Sequence, residues 1–327
     1  MRSPTISVVM PTYNQLAQLQ RAIGSILAQT RQPDEIVVID DGCTDGSLEW
    51  LQGMAKKDSR FQVFSNGTNR GAVYSGNQCY ARATCDYIFG LPSDDALMPD
   101  GLETLCRAFD AHPGEAVYCG DYVMADEATG KLELYNNRWS TEIRRFGPDE
   151  FAEVLQGWWV PSFACLVQNK AIREVGGLRE DLRWHSDWFA FLAIALRHGL
   201  CAVPEVVIVR RRHGDSYATS RKDWSKQAPV LRTLLHTLKS PEFRDVLPRF
   251  VRSGAMLFFN RELDRLVMSE PEFWSDPEVL MLAQLPMWFR MMACKKNNDT
   301  IWDSRFSEDP VLGRAKKALD GMPGTRT

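Results

Sequence analysis

The chain has 327 residues, with 39 Lys and Arg against 42 Asp and Glu and a formal net charge of −3, a balance that gives no general reason to bind nucleic acid. At 44% hydrophobic and 25% charged it excludes wholesale disorder, and its length allows a catalytic domain plus an appended module. No segment reaches the roughly 20 apolar residues of a spanning helix, and MRSPTISVVMPTYN reads as a strand, not a signal peptide. Eight cysteines without a CxxC pair read as reduced, core-filling thiols, and the expected location is the cytoplasm.

Four β-rich runs begin near Ile6 (ISVVM), Glu35 (EIVVID), Phe61 (FQVFS) and Tyr87 (YIFGL). Between the first two, Leu16, Leu19, Ile23, Ile26 and Leu27 share one helical face; Leu48, Leu51 and Met54 do so between the second and third. This alternation predicts right-handed crossovers and a mostly parallel sheet covered on both faces, a Rossmann-like α/β fold. Such sheets bind ligands beyond the carboxyl ends of their strands. Polar clusters stand at all four ends: Pro11–Asn14, Asp40–Gly46, Asn66–Gly71 and Pro92–Asp95. From Ala116 to about Arg212 the pattern is mixed, with strands at AVYCG, FACLV and VVIVR and helices near 149–156 and 188–197. From about Asp223 it is helical, and a boundary is placed near Ser220–Asp223. That separates a catalytic domain (1–220, with halves 1–115 and 116–220) from a helical module (221–327).

Asp94 and Asp95 are adjacent carboxylates after a buried strand, where like charges repel unless neutralised. A divalent cation, Mg²⁺ or Mn²⁺, would resolve the repulsion and keep coordination positions for a diphosphate. The alternative is a polar turn with an Asp capping the next helix. No GxGxxG or GxxxxGK[ST] is present, so a metal is the natural counter-charge for phosphate.

VVMPTYNQ, IVVIDDGCTDGS, NRGAVYSGN and YIFGLPSDDALMP, in that order, resemble glycosyltransferase family 2, the inverting family with the GT-A fold. The likeness runs from about Ile6 to His213. It implies transfer of a sugar from a nucleotide-diphosphate donor, UDP-sugar foremost, to an acceptor hydroxyl. It implies that Pro11, Thr12 and Tyr13 line the nucleotide pocket and that Asp41 accepts from the base. Gly71 counts among the nucleotide-binding positions. Asp94 would lie near the ribose or sugar, and Asp95 would be the direct metal ligand. Two departures stand out. Ser75-Gly76-Asn77 replaces the family's Ala-Arg-Asn, so Arg70 or Arg82 would have to substitute; and Pro92-Ser93 replaces the first part of Asp-x-Asp-Asp.

By the same resemblance Asp187, ahead of the helix FAFLAIALRHG, is the general base, its alternative being a helix N-cap, a role Ser186 can also take. Arg210-Arg211-Arg212-His213 resembles the family's Arg-x-His signature, which makes His213 a candidate metal ligand. The apolar segment 280–296, ending in two lysines, suits a peripheral membrane contact or burial against the catalytic domain or a second subunit in a homodimer; burial is preferred because Pro286 breaks it. The expected partners are a nucleotide-sugar donor and a glycan or lipid-linked acceptor, in surface-polysaccharide or glycan assembly. Competing readings are a nucleotidyltransferase making nucleotide sugars, opposed by the missing glycine-rich loop, and a non-catalytic sugar-nucleotide-binding relative.

Overall fold

The structure, a computed structural model, describes residues 3–212 apart from 138, residues 223–282 apart from 260, 274 and 275, and residue 314. His213 and most of the segment 280–296 lie outside the described residues.

Strands β1 (Ile6–Thr12), β2 (Glu35–Asp40), β3 (Phe61–Ser65) and β4 (Tyr87–Gly90) alternate with helices α1 (Leu16–Leu27), α2 (Ser47–Ala55) and α3 (Ala72–Arg82). They pair in parallel in the order β3-β2-β1-β4. Residues of β2 are buried on both faces, whereas β3 is an edge strand with an exposed end, which is why EIVVID is a continuous apolar run and FQVFS is not. Leu19, Ala22, Ile23 and Ile26 bury the face of α1, but Leu27 is exposed, one step past that stripe.

The second half adds β5 (Ala96–Leu97), α4 (Gly101–Ala111), β6 (Val117–Asp126), β7 (Leu132–Tyr135), β8 (Arg144–Phe146) and α5 (Pro148–Leu155). After these come β9 (Cys165–Gln168), α6 (Asn169–Glu174), α7 (Ser186–His198) and β10 (Leu200–Arg212). The sheet continues β4-β9-β6-β10-β5, with β9 antiparallel to both neighbours and β10 parallel to β6. The outcome is the expected mostly parallel sheet, mixed in its second half, with a hydrophobic cluster on each face.

Helix α7 is apolar all round, and every residue from Trp188 to Leu196 is buried. Such a helix must be covered on every side. Helices α5 and α6 pack on it, and the chain beyond position 220, with α8 (Trp224–Lys239), α9 (Leu247–Ser253), α10 (Arg261–Ser269) and α11 (Pro277–Leu282), adds aromatic contacts. Phe189 meets Phe243 at 4.8 Å, and Trp188 meets Phe259 at 5.1 Å between ring centroids. One apolar cluster therefore contains residues from both sides of position 220. Within the helical region after Asp223, the stretch 246–259 breaks at Gly254, whose φ is 65°. No described helix is long and apolar enough to cross a membrane.

One buried carboxyl in β6 should set a pH dependence. Burial pushes Asp121 up to about 7 from its ordinary 3.8, against a hydrogen bond from the Asn137 amide at 2.8 Å. The folded protein keeps this proton where the unfolded chain has lost it, so stability falls as pH rises from about 4 to about 7. Asp121→Asn should remove that share of the slope. Urea midpoints at pH 5 and pH 8 check this, and equal slopes in the two proteins would contradict it.

Candidate active site

In the order 3-2-1-4, β1 is where the chain turns from one direction of winding to the other, and a crevice opens there beyond the strand ends. A cavity of about 620 Å³ occupies it. All four predicted clusters reach its wall: Pro11, Thr12 and Tyr13 at the end of β1, Asp41 directly after β2, Asn69 and Gly71 after β3, and Pro92, Ser93 and Asp94 after β4. Asp187 lines it from the start of α7, and Arg183, Trp184 and Arg210 complete that side.

The acidic pair at the end of β2 divides its work. Asp40 is the turn-former, accepting from the Cys43 amide at 3.1 Å and from Ser65 Oγ at 2.7 Å. Asp41 reaches across to the next loop. Its Oδ1 accepts from Asn66 Nδ2 and the Arg70 amide, each at 2.8 Å, and its Oδ2 from the Gly71 amide at 2.9 Å. A carboxylate has about four acceptor sites, so roughly one remains for a ligand donor. Gly42 allows this closeness: its φ is +78°, and a Cβ there would lie 2.6 Å from the Thr68 backbone.

Tyr13 is 45% exposed, so its ring is not a core residue and is open to stacking from the cavity. Thr12 is nearly buried, and its Oγ1 has no hydrogen-bond partner among the described residues. Neither Arg70 nor Arg82 lines the cavity. Arg70 lies over the Tyr74 ring at 4.2 Å, and Arg82 over the Phe64 ring at 4.7 Å. Among the described residues the cations in the wall are Arg183 and Arg210.

Asp94 belongs to the cavity wall, while Asp95 sits behind it, 2% exposed. Asp95 Oδ1 accepts from the Arg211 amide at 2.8 Å. Its Oδ2 is buried, accepts no hydrogen bond among the described residues, and has Arg210 Nε at 3.8 Å. Burial, reinforced by the Asp94 charge and offset in part by Arg210, pushes the Asp95 carboxyl up to about 8. A carboxyl so placed is short of positive charge, and the pair offers the hard oxygen donors that Mg²⁺ or Mn²⁺ takes. Among the described residues no third carboxylate, His or Cys joins them. The donor set therefore fits a cation that draws its remaining ligands from a diphosphate and water.

Asp187 stands in the first turn of α7 but caps nothing: the N-cap residue is His185, and no side chain makes a capping hydrogen bond. Ser186 does not cap either, since its Oγ donates to the Arg179 carbonyl at 2.8 Å. Asp187 Oδ2 instead accepts from Ser162 Oγ at 2.6 Å. Tyr80 lines the same cavity, and burial, with the Asp187 charge adding, holds its phenol protonated far above the ordinary range. Ser162 and Arg183 went unassigned in the sequence: Ser162 stands in a short apolar stretch without a motif, and Arg183 carries no periodic signal.

The family model for glycosyl transferase family 2 matches residues 7–175. An uncharacterized glycosyltransferase of Haemophilus influenzae is 32% identical over 192 residues, covering 59% of this chain and 72% of the relative. The putative teichuronic acid biosynthesis glycosyltransferase TuaG of Bacillus subtilis is 31% identical over 126 residues, 38% of this chain and 50% of TuaG. Among solved structures, S. aureus TarS 1-349 in complex with UDP-GlcNAc superposes with a TM-score of 0.60 at 14% identity, covering 97% of this chain and 88% of TarS 1-349; that likeness speaks to the fold alone. With a family match over more than half its length and a glycosyltransferase relative covered over most of its own, the chain belongs to glycosyl transferase family 2.

Proposed function

We propose that the chain transfers a sugar from a UDP-sugar to an acceptor hydroxyl, with inversion at the anomeric carbon, in the assembly of a surface polysaccharide or glycan. The observation that carries this reading is that one cavity gathers an exposed aromatic, Tyr13, the acidic residues Asp41 and Asp94, and a third carboxylate, Asp187, from a separate element. The uridine donor is supported by the UDP-GlcNAc complex of TarS, and the polysaccharide setting by the name of TuaG. Pro11, Thr12 and Tyr13 would hold the nucleoside, with Tyr13 against the base. Asp41 would give its remaining acceptor site to the base and keep the loop with Gly71 in place. Asp94 and Asp95 would hold a divalent cation. When bound, that cation neutralises charge on the departing diphosphate, a task in which Arg210 would share. Asp187 would take the proton from the acceptor hydroxyl as the sugar arrives. Its Oδ2 is engaged by Ser162, which would leave Oδ1 to face the acceptor.

The expected result is that UDP binds only with a divalent metal. Calorimetry with UDP should show binding in Mn²⁺ and little in chelator, and equal affinity in the two conditions would sink the metal assignment.

A further inference from the structure

Four residues ahead of Asp187, Arg183 adopts a backbone conformation that arginine disfavours. Its φ of 47° and ψ of −119° match the first corner of a type II′ turn, where glycine is the usual occupant. A residue with a side chain persists there only when its surroundings overdetermine it. Here they do. Leu182 is fully buried, Trp184 Nε1 donates to Gln227 Oε1 at 2.8 Å, and His185 Nε2 lies 3.1 Å from the same oxygen. The effect is to hold an exposed arginine in the wall of the cavity that contains Asp187. Its neighbours have anionic partners: Arg179 pairs with Asp181 at 2.7 Å, and Arg210 faces Asp95 at 3.8 Å. Among the described residues Arg183 has no ion pair, and its guanidinium carbon lies 6.0 Å from the Trp184 ring centroid.

We infer that Arg183 is an acceptor-specificity residue that pairs with an oxyanion, phosphate or carboxylate, carried by the acceptor beside the hydroxyl that receives the sugar. This rests on the reading of Asp187 as the acceptor-side base. Glycine would satisfy the turn with less strain, so the strain is retained for what the side chain does. Among the described residues three carboxylates line the cavity, Asp41, Asp94 and Asp187, and they would repel an anionic acceptor. A guanidinium offset from them offsets that repulsion and presents a planar fork suited to two-point contact with an oxyanion. A neutral sugar has no group that needs it.

Calorimetry with methyl glucoside, methyl glucuronide and glucose 6-phosphate tests this, with Mn²⁺ present and both with and without saturating UDP. The two charged sugars separate carboxylate from phosphate. The wild type is expected to bind at least one of them about tenfold or more tightly than the neutral sugar. Arg183→Gly is expected to lose that preference, Arg183→Lys to keep part of it, and both to bind UDP as the wild type does. Arg183→Gly should also melt no lower than the wild type, because glycine relaxes the corner. Equal binding of the three sugars by the wild type would overturn the inference. So would a charged preference that survives in Arg183→Gly, or a loss of UDP affinity in that variant, which would move the arginine to the donor side. A wild type that binds no UDP counts against the donor reading alone, since the sugar comparison is also made without it.

Discussion

Asp187→Asn should lower sugar transfer by at least about a hundredfold while UDP affinity and melting temperature stay near those of the wild type. General-base catalysis typically contributes 10²–10⁴-fold, or about 3–5 kcal/mol of barrier. The substitution is well matched to the site. Asparagine keeps the size and an oxygen that can still accept from Ser162 Oγ, now 2.6 Å from the carboxylate, but it cannot take a proton. The donor contacts proposed for Tyr13, Asp41 and Asp94 come from other elements and are not touched. Nor can helix capping produce such a loss, because Asp187 makes no capping hydrogen bond. Transfer rate, UDP affinity and melting temperature on this one variant separate the outcomes. Near wild-type turnover in a stable protein would remove Asp187 from the mechanism.

Gln227→Ala should be among the most destabilising single changes, at about 3 kcal/mol. Gln227 is fully buried in α8, and its amide is shared among three side chains on two segments. It accepts from Trp184 Nε1 at 2.8 Å, sits 3.0 Å from His185 Nε2, and donates to Glu262 Oε2 at 2.8 Å. Removing it takes a partner from each, at about 1–3 kcal/mol for a buried polar group left unmatched, and opens a void besides. Because Trp184 lines the cavity, acceptor binding should weaken together with stability, whereas UDP binding should be affected less. Urea unfolding checks the first claim. A shift below about 1 kcal/mol would show that the network adjusts without its centre.

Much of this was readable from the chain. Alternating apolar strands and helices placed β1 to β4, and the polar residues after each strand marked one edge because parallel strands all end on the same side. The direction of β9 was not readable. CLVQ is buried on nearly every residue, and a continuous apolar run looks the same whichever way it pairs. Helix α7 announced by its composition that it is covered all round, but not by what. Asp41 was visible as a strand-end acid, yet its grip on the loop at Asn66–Gly71 depends on contacts 25 to 30 residues apart. Ser162 and Gln227 lay further out of reach. Each acts across a sequence separation that no local pattern records, 25 residues to Asp187 and 43 to Trp184.

The reading of the cavity as a UDP-sugar transfer site is tested most directly by turnover with water as acceptor. The wild type is incubated with UDP-N-acetylglucosamine, UDP-glucose and UDP-galactose in Mn²⁺, and release of UDP is followed while proton NMR records the anomer of the freed sugar. Release from at least one donor, abolished by chelator and yielding first the β-anomer from the α-linked donor, is the predicted result. No donor consumed, together with no rise in melting temperature on adding UDP and Mn²⁺, would contradict it.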